Sequence, residues 1–193
     1  MRKTVFIIVT VFLCWSAVLF AQSEVRSESS TGILAGPEAQ LPIGNKAENY
    51  RTGVGGRIEG LLGPSGSGPL PTWLSPTLSG GFALVPLDLG EDGLSSSANL
   101  SLLRGGLGAK AVFEANERLS FFTRAHLSGY YAALGGDTSG SASGFAWGGG
   151  GGMAFLLSST MNLELAAAYH SYTDLYDGLA ISFIVVQIMR DRQ

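Results

Sequence analysis

From Tyr50 onwards, apolar and polar side chains alternate at a period of two, the repeat of a strand with two unlike faces. In 50–62 the even positions include Tyr50, Val54, Ile58 and Leu62, whereas Arg51, Arg57 and Glu59 occupy odd ones. In 103–115 Leu103, Leu107, Ala111 and Phe113 oppose Arg104, Lys110 and Glu114. In 119–133 Leu119, Phe121, Leu127 and Tyr131 oppose Ser120, Arg124, His126 and Ser128. The same split separates Phe145, Trp147 and Phe155 from their even neighbours. It separates Leu163 and Leu165 from Asn162, Glu164, His170, Tyr172 and Asp174. It ends with Leu179, Ile181, Phe183 and Val185 against Gly178, Ala180 and Ser182. A helical repeat fits none of these as well, and 28 Gly in 193 residues argue against helices. The chain is an antiparallel β protein.

Turn chemistry divides the runs. Gly63–Ser75 and Gly135–Gly144 read as long Gly/Ser loops, and Glu114–Arg118 and Ser158–Asn162 as tight turns. Asp174–Gly178 reads as the last hairpin. Counting back from the C-terminal end gives strands at 178–188, 161–173, 144–157, 118–134 and 102–115. Strands at 50–62 and 77–85 precede them, and an even total places one more near 93–101. That makes eight. The Gln22–Glu48 stretch, with Pro37 and Pro42, shows no period and reads as a flexible lead-in.

Compartment follows from the first residues. Arg2 and Lys3 precede an apolar run from Val5 to Val18 that ends at Ala21, the order of a secretory signal peptide. Residues 1–21 are therefore expected to be removed; the alternative is an uncleaved anchor. Cys14 lies inside the run, so the mature chain would carry no cysteine for disulfides, thiol chemistry or metal. The formal charge of −3 becomes −5 without Arg2 and Lys3, which gives no reason to expect a nucleic-acid partner. No later run is long enough for a spanning helix, so membrane insertion requires a closed barrel.

Aromatic placement supports that barrel. Tyr131, Phe145 and Trp147 fall near one rim, and Phe113, Phe121 and Phe155 near the other. Ten positions of tilted strand separate Phe121 from Tyr131, roughly 23 Å against an apolar band of about 25 Å. The tight turns define the periplasmic rim, and 50–62 should start there. Gly63–Ser75 and Gly135–Gly144 then face outside.

The other face carries the chemistry. Arg51, Arg57, Arg104, Lys110 and Arg124, with Glu59, Glu114 and Glu164, point into an interior that eight strands leave just wide enough for side chains. They are expected to pair into a plugging network; a narrow ion path is the alternative. The Gly148–Gly152 run lacks the Lys-Ser/Thr and the strand-to-helix setting of a phosphate loop, and reads as a curved wall. His126 and Ser128 share a face, so a base–nucleophile pair oriented by Glu164 or Asp174 is conceivable. His126 and His170 alone do not make a metal site.

With these segments the chain resembles the OmpA/OmpX-like small outer-membrane β-barrels over about residues 50–188, most of all in the C-terminal hairpin from Asn162 to Phe183. The fold implied is an eight-stranded antiparallel up-and-down transmembrane β-barrel. The domains expected are a signal peptide (1–21), a lead-in (22–48), the barrel (49–188) and a tail (189–193). The resemblance implies outer-membrane lipid and the outer-membrane assembly machinery as partners. It implies no cofactor and no catalytic or metal-binding residue. Family members commonly end on an aromatic residue, whereas this chain ends Ile188-Met-Arg-Asp-Arg-Gln193; the expectation is either an internal insertion signal or a truncated N-terminal barrel module of a longer surface protein. His126-x-Ser128 is similar to the motif of the lipid A deacylases, but Gly129 stands where they have Asn and the pair faces inward.

The leading expectation is a non-enzymatic bacterial outer-membrane barrel. It anchors the envelope or presents loops 63–75 and 135–144 to an extracellular ligand. A lipid-modifying enzyme, a narrow pore and a soluble periplasmic sandwich or lipocalin-like barrel are the alternatives.

Overall fold

The computed structural model describes residues 31–62, 73–88, 97–135, 140–159 and 161–189. The signal-peptide segment, the tail apart from Met189, which ends β8, and most of the 63–75 loop lie outside them. Eight strands occur: β1 (Thr31–Ile43), β2 (Gly53–Leu61), β3 (Leu74–Asp88), β4 (Ser97–Asn116), β5 (Leu119–Gly135), β6 (Gly140–Ser158), β7 (Met161–Tyr172) and β8 (Asp177–Met189). Each pairs antiparallel with its sequence neighbours, and β8 pairs with β1 to close a barrel.

The expected total of eight is correct, but two of its members are not. β1 lies inside the stretch read as a lead-in, and β4 is one strand where the sequence reading placed two, at 93–101 and 102–115. The β5–β6 connection is also shorter than expected, because Gly135 and Gly140–Gly144 belong to strands.

Register fixes the barrel's dimensions. From Glu38, one route of paired residues runs through Gly55 and Ala83 to Leu102. The other runs through Ser182, Ala166, Gly152 and Phe122 to Val112. The two routes reach β4 ten positions apart. For eight strands that stagger gives a tilt of about 40° and a backbone radius of roughly 8 Å. The lumen is the width of packed side chains.

The alternation sorts as read. Phe121, Leu127, Phe145, Trp147, Leu165 and Phe183 are exposed on the outside, Leu127 at 71% and Phe145 at 80%. Arg57, Arg104, Lys110, Arg124 and Glu164 are buried inside. Water does not favour so continuous an apolar band, whereas bilayer hydrocarbon does. A sandwich with its aromatics gathered within is contradicted.

Chain ends and connections define two rims. The turn rim holds Thr31, Leu61, Leu74, the β4–β5 and β6–β7 turns and Met189; the loop rim holds the other connections. At the turn rim Asn116 Oδ1 accepts from the Arg118 and Leu119 amides, both at 2.9 Å, and so reverses the chain in two residues. Two expectations change here. β2 begins at the loop rim, because β1 precedes it, and the 63–75 segment therefore joins β2 to β3 at the turn rim, opposite the β5–β6 connection.

Leu127 lies near mid-wall on the outer face, so Leu127→Arg is expected to destabilise the bilayer-folded protein by about 2–4 kcal/mol in urea titrations. A loss below about 0.5 kcal/mol, as at an ordinary wet surface, would contradict a lipid-facing band.

Candidate functional site

Seen along the barrel axis, the lumen is layered. Towards the loop rim, Val85, Leu100, Leu102, Tyr130, Tyr172 and Tyr176 pack together. Towards the turn rim, Leu34, Leu61, Ile184 and Val186 form one apolar cluster and Phe122, Ala154 and Ala166 another. Between and beside these layers lie the charged side chains.

The buried charges among the described residues are Arg57, Arg104, Lys110 and Arg124 with Glu38, Glu59 and Glu164. Arg57 donates to Glu59 at 2.5 Å, and the same Glu59 oxygen lies 3.7 Å from Arg124. Arg104 pairs with Glu38, and Lys110 pairs with Glu164 while lying 4.3 Å above the Phe122 ring. Arg124 also donates to Ser182 Oγ at 3.2 Å. The plugging network is present, with changed membership. Arg51, just before β2, and Glu114, near the turn-rim end of β4, are exposed at the rims and lie outside the buried network. Glu38, on β1, takes an inner place.

The histidines meet each other. Arg104 can only donate, so its contact with His170 Nδ1 (3.5 Å) makes that nitrogen an acceptor. His126 Nε2, 3.1 Å from the same atom, is then the donor. Ser128 Oγ donates to the Ala146 carbonyl at 3.4 Å, and Glu164 is engaged by Lys110. Asp174 lies in the β7–β8 turn and is exposed. The structure therefore does not assemble His126, Ser128, Glu164 and Asp174 into a base–nucleophile constellation. Among the described residues no three His, Cys, Asp or Glu side chains are placed to hold a metal ion.

Gly148 explains the start of the glycine run. A Cβ there would lie 2.6 Å from His126 Cε1, so this inward position must be bare for the imidazole to fit. At the loop-rim end of the lumen, burial pushes the Tyr176 phenol above its ordinary range, and its hydroxyl donates to Gln40 Oε1 at 2.8 Å.

One other surface is built. β3–β6 continue past their neighbours at the loop rim. β6 carries Gly140–Gly144 beyond Phe145, whose carbonyl still accepts from the Thr173 amide at 3.2 Å just past the last β6–β7 rung at Ala146↔Tyr172; that is roughly 17 Å of extra strand. Leu134↔Gly140, Asn99↔Gly135 and Asp88↔Ser97 keep the extension paired internally. Polarity inverts there: Asn99, Ser101, Ser141 and Ser143 face out, and Ala98 and Leu100 are buried. The extension stands in water, beyond the apolar band.

This geometry is that of the small eight-stranded outer-membrane barrels, the class whose fold the chain shares. The chain matches no protein-family model and no curated protein. Among solved structures it is similar to Neisserial surface protein A, with a TM-score of 0.64, 12% identity, 84% of this chain and 100% of that one covered. It is similar to Ail, the attachment invasion locus protein of Yersinia pestis, at 0.53 and 16%, covering 83% and 98%. A further likeness is to OprG from Pseudomonas aeruginosa at 0.53 and 9%, covering 84% and 94%.

Breaking the Lys110–Glu164 pair from one side leaves a buried charge. Glu164→Leu is expected to cost about 3–5 kcal/mol in urea unfolding, and Lys110→Met added to it to recover most of that loss. Equal effects of the single and double variants would show that the pair is not a unit.

Proposed function

We propose that the protein is a non-enzymatic β-barrel of the bacterial outer membrane. It is exported with residues 1–21 removed, anchored in lipid, and presents the β3–β6 extension to an extracellular partner. The observation that carries this reading is the extension itself. A barrel serving only as an anchor has no need of strands that run on past the apolar band, β6 by about five residues beyond its β7 partner, with Asn99, Ser101, Ser141 and Ser143 on the outer face. The presenting surface is then the extension. The 63–75 segment, on the opposite rim, has no part in it.

Three things support the location: the apolar outer band, the layered lumen and the likeness to outer-membrane barrels. One such barrel, Ail, has been solved in complex with the heparin analogue sucrose octasulfate, and that structure covers 85% of this chain at a TM-score of 0.51. A comparable surface role is the one proposed here, with the ligand left to experiment. Insertion would proceed through the outer-membrane assembly machinery. The lumen, filled by tyrosines at one end and aliphatic side chains at the other, favours an anchor over an ion path.

Replacing residues 136–143 by a two-residue hairpin turn should leave folding in the membrane intact while abolishing binding of expressing cells to immobilised host-cell matrix. Undiminished binding with normal surface expression would refute presentation by this extension.

A further inference from the structure

The seam between β1 and β8 closes the barrel, and its ladder is broken near mid-wall. Rungs run from Thr31↔Met189 to Ala35↔Val185 and resume at Glu38↔Ser182, leaving out Gly36 and Pro37. The cause is chemical. Pro37 has no N–H, so the Phe183 carbonyl opposite it receives no hydrogen from β1. On the other side β1 keeps both rungs, Gly36↔Arg57 and Pro37↔Gly56, which places the missing donor on the β8 side. Gly36 packs so closely there that a Cβ would lie 2.1 Å from the Phe183 carbonyl oxygen. In hydrocarbon no water replaces the lost bond.

β1 has a second hold, inside the lumen. Glu38, next after Pro37, pairs with Arg104 of β4. Gln40 Nε2 donates to Glu38 Oε1 at 3.0 Å and to the Tyr172 hydroxyl of β7 at 3.4 Å, and Tyr176 donates to Gln40 Oε1 at 2.8 Å. Arg104 also donates to the Tyr172 hydroxyl at 2.8 Å, which joins the partners to each other. None of these partners lies on β2 or β8, the strands that flank β1 in the wall.

We propose that Glu38 and Gln40 form a cross-lumen latch that holds β1 in the wall where its ladder with β8 is interrupted. The latch substitutes for the rung that Pro37 removes. Releasing it frees one edge of β1 while the β4–β7 wall stays paired.

Amide hydrogen exchange on the full chain folded in phosphocholine vesicles tests this with three variants. Glu38→Gln should speed exchange of β1 and β8 amides by about tenfold and leave the β5–β6 ladder unchanged. Pro37→Ala restores the donor and should slow seam exchange several-fold. Glu164→Gln disturbs a buried pair that does not touch β1, and should leave the ratio of seam to β5–β6 exchange as in the wild type. The latch is overturned if Glu38→Gln leaves the seam unchanged or loosens both regions equally. It is overturned too if Glu164→Gln loosens the seam selectively. Should Glu38→Gln not fold, Pro37→Ala decides: unchanged seam exchange contradicts the proposal.

Discussion

A backbone carbonyl in hydrocarbon has no solvent to bond to, and nearly every other feature of this barrel answers to that constraint. Each strand needs a partner on both sides, so the sheet closes on itself. Closure at eight strands with a stagger of ten leaves a lumen of side-chain width, which decides what can fill it. The outer face is then free to be apolar across its band, and the inner face takes the charged groups Glu38, Arg57, Glu59, Arg104, Lys110, Arg124 and Glu164.

Within that narrow lumen the charges are organised by distance from the rims. Tyrosines close one end, aliphatic side chains the other, and three carboxylates are shared among four cations between them. Several polar atoms there have no protein partner, among them Glu59 Oε1, Arg57 Nε and His126 Nδ1. Donors and acceptors are mixed among these atoms, which suits bridging water better than a single bound ion. The network therefore holds the wall at fixed diameter, and its reach across the axis ties strands that share no ladder.

The wall's inside and outside were legible wherever a strand crosses the apolar band, because there the period of two coincides with a change of solvent. Phe121, Trp147, Arg57 and Arg124 all take the faces that their parity implies. Legibility failed where the solvent is the same on both sides or the backbone signal is mixed. β4 looked like two strands because above Leu103 its outer residues, Asn99 and Ser101, are polar and its inner ones, Ala98, Leu100 and Leu102, apolar. The pattern inverts without the strand ending. β1 was hidden by Pro37 and Pro42, although Ile33, Ala35 and Ala39 already alternate with Leu34, Glu38 and Gln40. Missing β1 reversed the direction assigned to β2 and moved the 63–75 segment to the wrong rim. Of the inner network, Glu38 and Gln40 went unseen for the same reason, since an acid between two prolines carries no mark of burial, and Tyr176 went unseen because it stands in the β7–β8 turn, outside the alternation.

The assignment of lipid to the odd face of β5 is tested most directly by nitroxide accessibility. A spin label is carried in turn on a single introduced cysteine at each position from Phe121 to Tyr131 of the folded chain, without residues 1–21, in lipid vesicles. Collision with dissolved oxygen should be high at the odd positions and low at the even ones, where the lumen is packed. Maxima at the even positions, or equal access of a water-soluble relaxer to both sets, would contradict the account.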